Sequence, residues 1–335
     1  MLNYKSVNKN LLIIIPTVAA FFIALIPTLK YGWPLGWDII HHIHIANVYA
    51  NYGLTLTDPL IGLKDGPQKI GYVPLFHLFI VAIGYITKMN YFQIGRYLQP
   101  FIASGIVLSV SYVGYKFYGL IAGISAGFMV LSSNLINRIV LTIPENMALI
   151  IFPIAVYFFY LSLKRNTYKY TLISGILLTI MVFIHQGAAF LLFLTLTIYT
   201  IVAVILNRDV HIIKKYLAWI VPPVLIGVIF IGVILFLDSS IIYNILQYGI
   251  STVTGYRDSI SYNYSQYFYL IPYAWQLGMV PLFFALIGGW KWFKSSTPKK
   301  ITDKTALVIV WAVFIFLFSQ LNVFGLNVLT HRFFI

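Results

Sequence analysis

Ten apolar runs fix what this chain can fold into. They cover roughly residues 11–29, 73–88, 97–115, 118–133, 147–163, 170–185, 188–206, 216–237, 273–290 and 306–322. A single water-soluble core cannot absorb so many. A bilayer can, because each run approaches the ~20 residues a helix needs to cross hydrocarbon, and a helix satisfies its own backbone groups in lipid. A mean hydropathy of +0.89 and a charged fraction of only 9% agree with this. The class this implies is an all-α polytopic membrane protein, with residues 1–335 forming one transmembrane domain. The first run leads into more apolar sequence without a small-residue cleavage site, so it reads as a retained helix. The chain has no cysteine, which excludes disulfides, thiolate nucleophiles and zinc–cysteine sites. Its net charge of +14 comes from lysines lying between the apolar runs. That placement points to membrane orientation and anionic headgroups, and no nucleic-acid partner is expected.

Charge also bears on sidedness. If all ten runs cross and the N-terminus is cytoplasmic, most of the 22 Lys and Arg fall outside, against the cytoplasmic bias of basic loops. If 73–88 instead returns to the side it came from, most fall inside, among them Lys116, Lys164, Arg165, Lys169, Arg208, Lys214, Lys215, Lys291 and Lys294. Turning the ten-crossing arrangement over satisfies the count equally, but leaves Lys5 and Lys9 on the wrong side of the first helix. Run 73–88 is short, begins at Pro74 and contains His77. The expectation is therefore about nine transmembrane helices plus one non-crossing interfacial helix in the first outer loop. The outer loops are then 30–96 and 238–272. The N-terminus is cytoplasmic, and the plasma membrane is the expected location.

With this topology the acidic groups Asp38, Asp58, Asp65, Glu145, Asp238 and Asp258 all gather outside, and Asp209 and Asp303 stay inside. An ion channel or transporter would more often bury ionisable groups near mid-bilayer. A polar layer at one surface fits an enzyme working at the outer interface. Asp38 leads that layer, followed within six residues by His41, His42 and His44. On a helix it shares a face with His41 and His42. This pattern suits a general base, a metal ligand, or the polar rim of an interfacial helix whose first turn favours a carboxylate. Glu145, the only glutamate in 335 residues, follows Pro144 at the outer start of a helix. It complements a helix N-terminus or pairs with Asp38, sharing a divalent cation (magnesium or manganese) or dividing acid–base duties. His77, His185, Gln186 and Arg257 are further binding candidates on the same face. His331 and Arg332 follow the last run, and an arginine there suits bidentate phosphate binding. The loop after Asp238 carries Tyr243, Tyr248, Tyr256, Tyr262, Tyr264, Tyr267, Tyr269 and Tyr273. These rings fit an aromatic belt or a groove for a sugar or peptide.

Together these landmarks resemble the GT-C superfamily of membrane glycosyltransferases, which take sugars from polyprenyl-phosphate donors. GWDIIHHIHIANVYANYGLTLTDPLIG is similar to that superfamily's first outer loop, with Asp38, Gly53, Asp58 and Pro59 at the matching places. GYVPLFHLFIVAIGYI resembles its proline-started, non-crossing outer helix. PENMALIIFPIAVYFFYLSLKR resembles the helix after its second outer acidic site, and HRFFI the arginine opening a late helix. The WWDxG motif of oligosaccharyltransferase catalytic subunits is missing. The first site reads Asp38-Ile39 where many protein mannosyltransferases have Asp-Glu.

The resemblance implies inverting transfer of a sugar from a polyprenyl-phosphate-linked donor to a protein, lipid or glycan acceptor at the outer face. Asp38 would be the base or acceptor-orienting carboxylate, Glu145 a second acid, and Arg332 the contact to lipid phosphate. The chain ends in an apolar stretch, as though mid-helix, and is expected to be a fragment or truncated member. Rival readings are a non-catalytic subunit of a glycosylation complex, or a lipid or solute transporter.

Overall fold

Helices follow the apolar runs closely in the structure, a computed structural model that describes residues 9–63, 66–237, 274–275, 277–294 and 302–319. A 3-10 turn, Lys9–Ile14, leads into α1 (Ile15–Lys30), with Pro16 in the first turn where its missing N–H is harmless. Then come α2 (Asp38–Tyr52), α3 (Leu75–Thr87), α4 (Tyr91–Tyr97), α5 (Gln99–Tyr118), α6 (Leu120–Ser132) and the short α7 (Ile136–Ile139). The longer helices α8 (Pro144–Lys164), α9 (Tyr168–Ile184), α10 (Gln186–Asn207) and α11 (His211–Leu237) follow. Past the next stretch lie α12 (Met279–Lys294) and α13 (Asp303–Ser319).

Among the described residues, five helical spans are long and apolar enough to cross a membrane: Leu11–Lys30, Tyr91–Tyr118, Pro144–Lys164, Gln186–Asn207 and His211–Val233. The sequence predicts about nine. Helices α3, α6 and α9 are apolar but shorter. The all-α expectation also needs correction. Between α2 and α3 a β-hairpin pairs β1 (Thr57–Leu63) antiparallel to β2 (Gly66–Lys69), with Asp58 opposite Gln68. Pro59, Gly62 and Pro67 disfavour helix here, and a hairpin pairs much of this segment's backbone instead.

The described chain divides into two compact units. The first is built from residues up to Ser132 together with Ile136–Leu161 and Ile176–Phe193. In it α1 and α5 lie antiparallel. At one end the Arg96 guanidinium donates to the carbonyls of Thr28 (2.5 Å) and Leu29 (3.3 Å), capping the orphan C-terminal groups of α1. At the other, Gly127 of α6 sits against Pro16 and Ser111, where an added Cβ would meet Ser111 Oγ at 2.2 Å. The chain therefore leaves α1 and enters α4–α5 at the same end of this pair. Residues 31–95, with α2, the hairpin and α3, form a loop at that end. The start of α8 joins them: Thr142 donates to the Gly95 carbonyl at 2.6 Å, and Gly36 packs on Leu141. Buried Ala20, Ile102, Ile106, Val107 and Ile139 form the core beneath.

In the second unit, buried Trp219 of α11 donates its indole N–H to Ser174 of α9 at 3.1 Å. Gly175 allows the close approach, since a Cβ there would lie 2.4 Å from the Trp219 carbonyl. Lys215 caps the Ser162 carbonyl at 3.1 Å, and Asn207 donates to Asp303 at 2.8 Å, tying the end of α10 to the start of α13.

Candidate functional site

The loop at the α1–α5 end is organised by histidines. α2 starts just after Gly36, held at φ +87, and stops at Gly53, held at φ +76; positive φ is a conformation that favours glycine. The helix turns Ile39, His42, Ile43, Ile45, Ala46 and Tyr49 inward, and leaves Asp38 and His41 exposed. Buried His42 meets fully buried His77 of α3, Nδ1 to Nε2, at 3.0 Å. The other ring nitrogen of His77 faces the Val73 carbonyl at 3.2 Å. A carbonyl only accepts, so His77 carries its proton on Nδ1 and accepts from His42 Nδ1–H. His42 thereby keeps a bare Nε2. Tyr72, Phe76 and His77 pack edge-on or tilted around its ring. Burial, reinforced by neighbouring His77, pushes His42 down to about 2. Burial likewise holds His77 at about 4, opposed by its hydrogen bond to Val73. Both imidazoles are neutral at physiological pH.

Two residues on, His44 Nε2–H donates to Asp58 Oδ2 at 2.5 Å, clamping the hairpin to α2. Asp58 Oδ1 accepts the Leu60 N–H at 2.9 Å. Burial alone would raise the Asp58 carboxyl, yet the His44 and backbone hydrogen bonds outweigh it and hold the group below its usual range. Between α2 and the hairpin lies a cleft of about 240 Å³, onto which His41, Asp58, Gln68 and Tyr72 open. His41 is lowered by burial and by His44, with Asp58 and Asp38 pulling the other way. It therefore lies within electrostatic reach of both carboxylates.

Glu145, in the first turn of α8, is buried and ion-paired with Arg138 at 2.7 Å. Arg138 was not singled out in the sequence. The signal for it was an arginine seven positions before the chain's lone glutamate, across a Pro144 helix start. Asn146, also unremarked in the sequence, is fully buried and donates to the carbonyls of Arg138 (2.7 Å) and Leu141 (2.8 Å). Its Oδ1 and the Arg138 Nε are buried without a hydrogen-bond partner among the described residues.

The structure therefore brings Asp38, His41, His42, His44, His77 and Glu145 to one end of the first unit. His185 joins them at the end of α9, within electrostatic reach of His42. It is half-buried, and its Nδ1 accepts the Ala188 N–H at 3.1 Å. Gln186 opens α10 in an exposed position. Arg257, Asp65, Asp238, Asp258, His331, Arg332 and the tyrosine-rich loop lie outside the described residues, as does the C-terminal end. A shared metal at Asp38 and Glu145 finds little support in the donor set. Glu145 is committed to Arg138, and among the described residues no three His, Asp or Glu side chains converge as metal ligands.

No protein-family model matches the chain, and no curated protein sequence does. Solved structures do, among them the following two. ArnT from Cupriavidus metallidurans, bound to undecaprenyl phosphate, superposes with a TM-score of 0.67 at 13% identity, covering 96% of this chain and 57% of ArnT. The archaeal oligosaccharyltransferase AglB from Archaeoglobus fulgidus, in complex with an inhibitory peptide and a dolichol-phosphate, superposes at 0.51 and 13% identity, covering 89% of this chain and 39% of AglB. The chain shares the fold of these two proteins. At this identity the likeness concerns the fold, and the chain spans little more than half of ArnT's length and less than half of AglB's. The shared fold and the five apolar spans make this an integral membrane protein.

Proposed function

We propose that this protein is a membrane glycosyltransferase that moves a sugar from a polyprenyl-phosphate-linked donor to an acceptor at the outer membrane face, with inversion. The observation that carries the reading is the GT-C fold, shared over nearly the whole chain with a protein bound to undecaprenyl phosphate and one bound to a dolichol-phosphate. The polar loop between α1 and α5 supports it. That loop leaves and re-enters the helix pair at one end, which is what a non-crossing α3 requires. At 13 residues, α3 is about 20 Å long, short of the ~30 Å hydrocarbon thickness.

Asp38 is the exposed carboxylate beside this layer, so it would take the proton from the acceptor nucleophile. The nucleophile attacks the anomeric carbon, the bond from that carbon to phosphate oxygen breaks, and polyprenyl phosphate leaves with the electron pair. Charge developing on the phosphate needs a cation. Arg138 sits at this end beside Glu145, and Arg332 is the other candidate. The acceptor is a protein, lipid or glycan, and other subunits of a glycosylation complex are further partners.

Asp38→Asn tests the reading. It should cut transfer from a polyprenyl-linked sugar by ~10²–10⁴-fold while leaving undecaprenyl phosphate binding intact. Unchanged transfer would refute Asp38 as the base and favour the non-catalytic subunit.

A further inference from the structure

We infer that the cleft between α2 and the hairpin is a subsite for one neutral sugar ring. This rests on the glycosyltransferase reading and adds to it the place where a sugar is held. At about 240 Å³ the cleft is smaller than the roughly 300–1,000 Å³ of drug-sized sites, room for a single ring. Its lining combines the two chemistries a sugar needs. Ile45, Ile70 and the Tyr72 ring offer an apolar surface for a C–H face. Asp58, Gln68 and His41 supply hydrogen-bonding edges for hydroxyls.

The fold holds these groups ready. Asp58 and Gln68 are cross-strand partners, so carboxylate and amide arise from adjacent positions of one ladder. The Asp58 carboxylate is fixed by His44 and by the Leu60 and Ile61 N–H groups, which leaves one of its acceptor positions for a hydroxyl donor. Tyr72 packs against His41 and His42, with ring centroids 5.4 and 4.8 Å apart. Charge selects the ligand class. An ionised carboxylate, with no arginine or lysine among the described lining residues, repels phosphate. The cleft therefore suits the neutral ring of a donor or acceptor and leaves the phosphate to a cation elsewhere.

Saturation-transfer NMR on the full chain in lipid nanodiscs tests this, with glucose, mannose, galactose and N-acetylglucosamine as millimolar probes. At least one should receive saturation from the wild type. Gln68→Ala, at an exposed position, should weaken that signal at least threefold without changing the melting temperature, and Tyr72→Ala should weaken it as much, with only the loss of stability that its packing on His41 and His42 implies. No signal in the wild type, or full signal in both variants, overturns the subsite. Undecaprenyl phosphate binding on the same samples keeps the two readings apart. Lipid binding without a sugar signal overturns the subsite alone, and absence of both overturns the proposed function as well. Competition identifies the source of a sugar that does bind. Displacement by a polyprenyl-phosphate-linked sugar, but not by undecaprenyl phosphate, assigns the cleft to the donor. Persistence under both assigns it to a glycan acceptor.

Discussion

His42 and His77 show how a buried polar pair constrains single residues. His77→Phe removes the acceptor for His42 Nδ1–H and leaves a buried donor unsatisfied, which costs ~1–3 kcal/mol. Replacing both with Phe removes the orphan along with its partner. The double variant should therefore cost less than the two single changes summed, a coupling that a double-mutant cycle on unfolding midpoints measures directly. Arg138 and Glu145 follow the same logic. Arg138→Met strands a carboxylate that is only 8% exposed, a loss of a few kcal/mol at most given the partial exposure of the guanidinium. Adding Glu145→Gln to that variant should recover part of the loss. None of these partners is adjacent in sequence. His42 and His77 are 35 positions apart, and the sequence clusters His41, His42 and His44 without saying which would be buried.

At the scale of elements, the loop that joins α2, the hairpin and α3 is built to work above acidic pH. His42 and His77 are lowered in the folded state, to about 2 and about 4, so the unfolded chain binds more protons below about 6.5. Stability is then fully present above pH ~6.5 and falls as pH drops, by up to ~1.4 kcal/mol per unit for each histidine. Asp58, also lowered, contributes stability that is present above its ordinary range and lost on further acidification. Thermal unfolding between pH 7.5 and 4.5 should show a steady decline that flattens in the His42→Phe/His77→Phe variant; an equal slope in both would discount the pair. Helix packing gives a second expectation. Gly175→Ala drives a Cβ into the Trp219 carbonyl and should lower the melting temperature. Gly227→Ala on α11 meets nothing within 4 Å among the described residues and should raise the melting temperature, stabilising by the ~0.5–1 kcal/mol a helical alanine gains over glycine.

For the whole molecule the open quantity is topology, and the absence of native cysteine makes it measurable. Single cysteines at Asn90, Asn134 and Lys169 can be challenged with a membrane-impermeant thiol reagent. Asn90 and Asn134 should react from outside and Lys169 only after permeabilisation. Labelling of Lys169 from outside, with Asn90 and Asn134 protected, would restore the ten-crossing arrangement and remove the shared outer face. The helix pair α1–α5 is the structural reason to expect the first result, because Arg96 is tied to the α1 C-terminus.

Sequence by itself determined the medium and the elements. Apolar runs with so little charge have no stable alternative to spanning helices, and glycine and proline positions mark where those helices begin and end. It also placed Asp38 and Glu145 in first helical turns, a local consequence of the dipole. The hairpin was missed, because Asp-Pro and Gly-Pro signal a turn without naming the strands that flank it. Only the tertiary structure decided that His42 would find His77, that His44 would clamp Asp58, and that Glu145 would be neutralised by Arg138. Local propensity acts over a helical turn. Which distant side chains meet depends on how the helices pack, and that is set by the shapes of whole apolar faces.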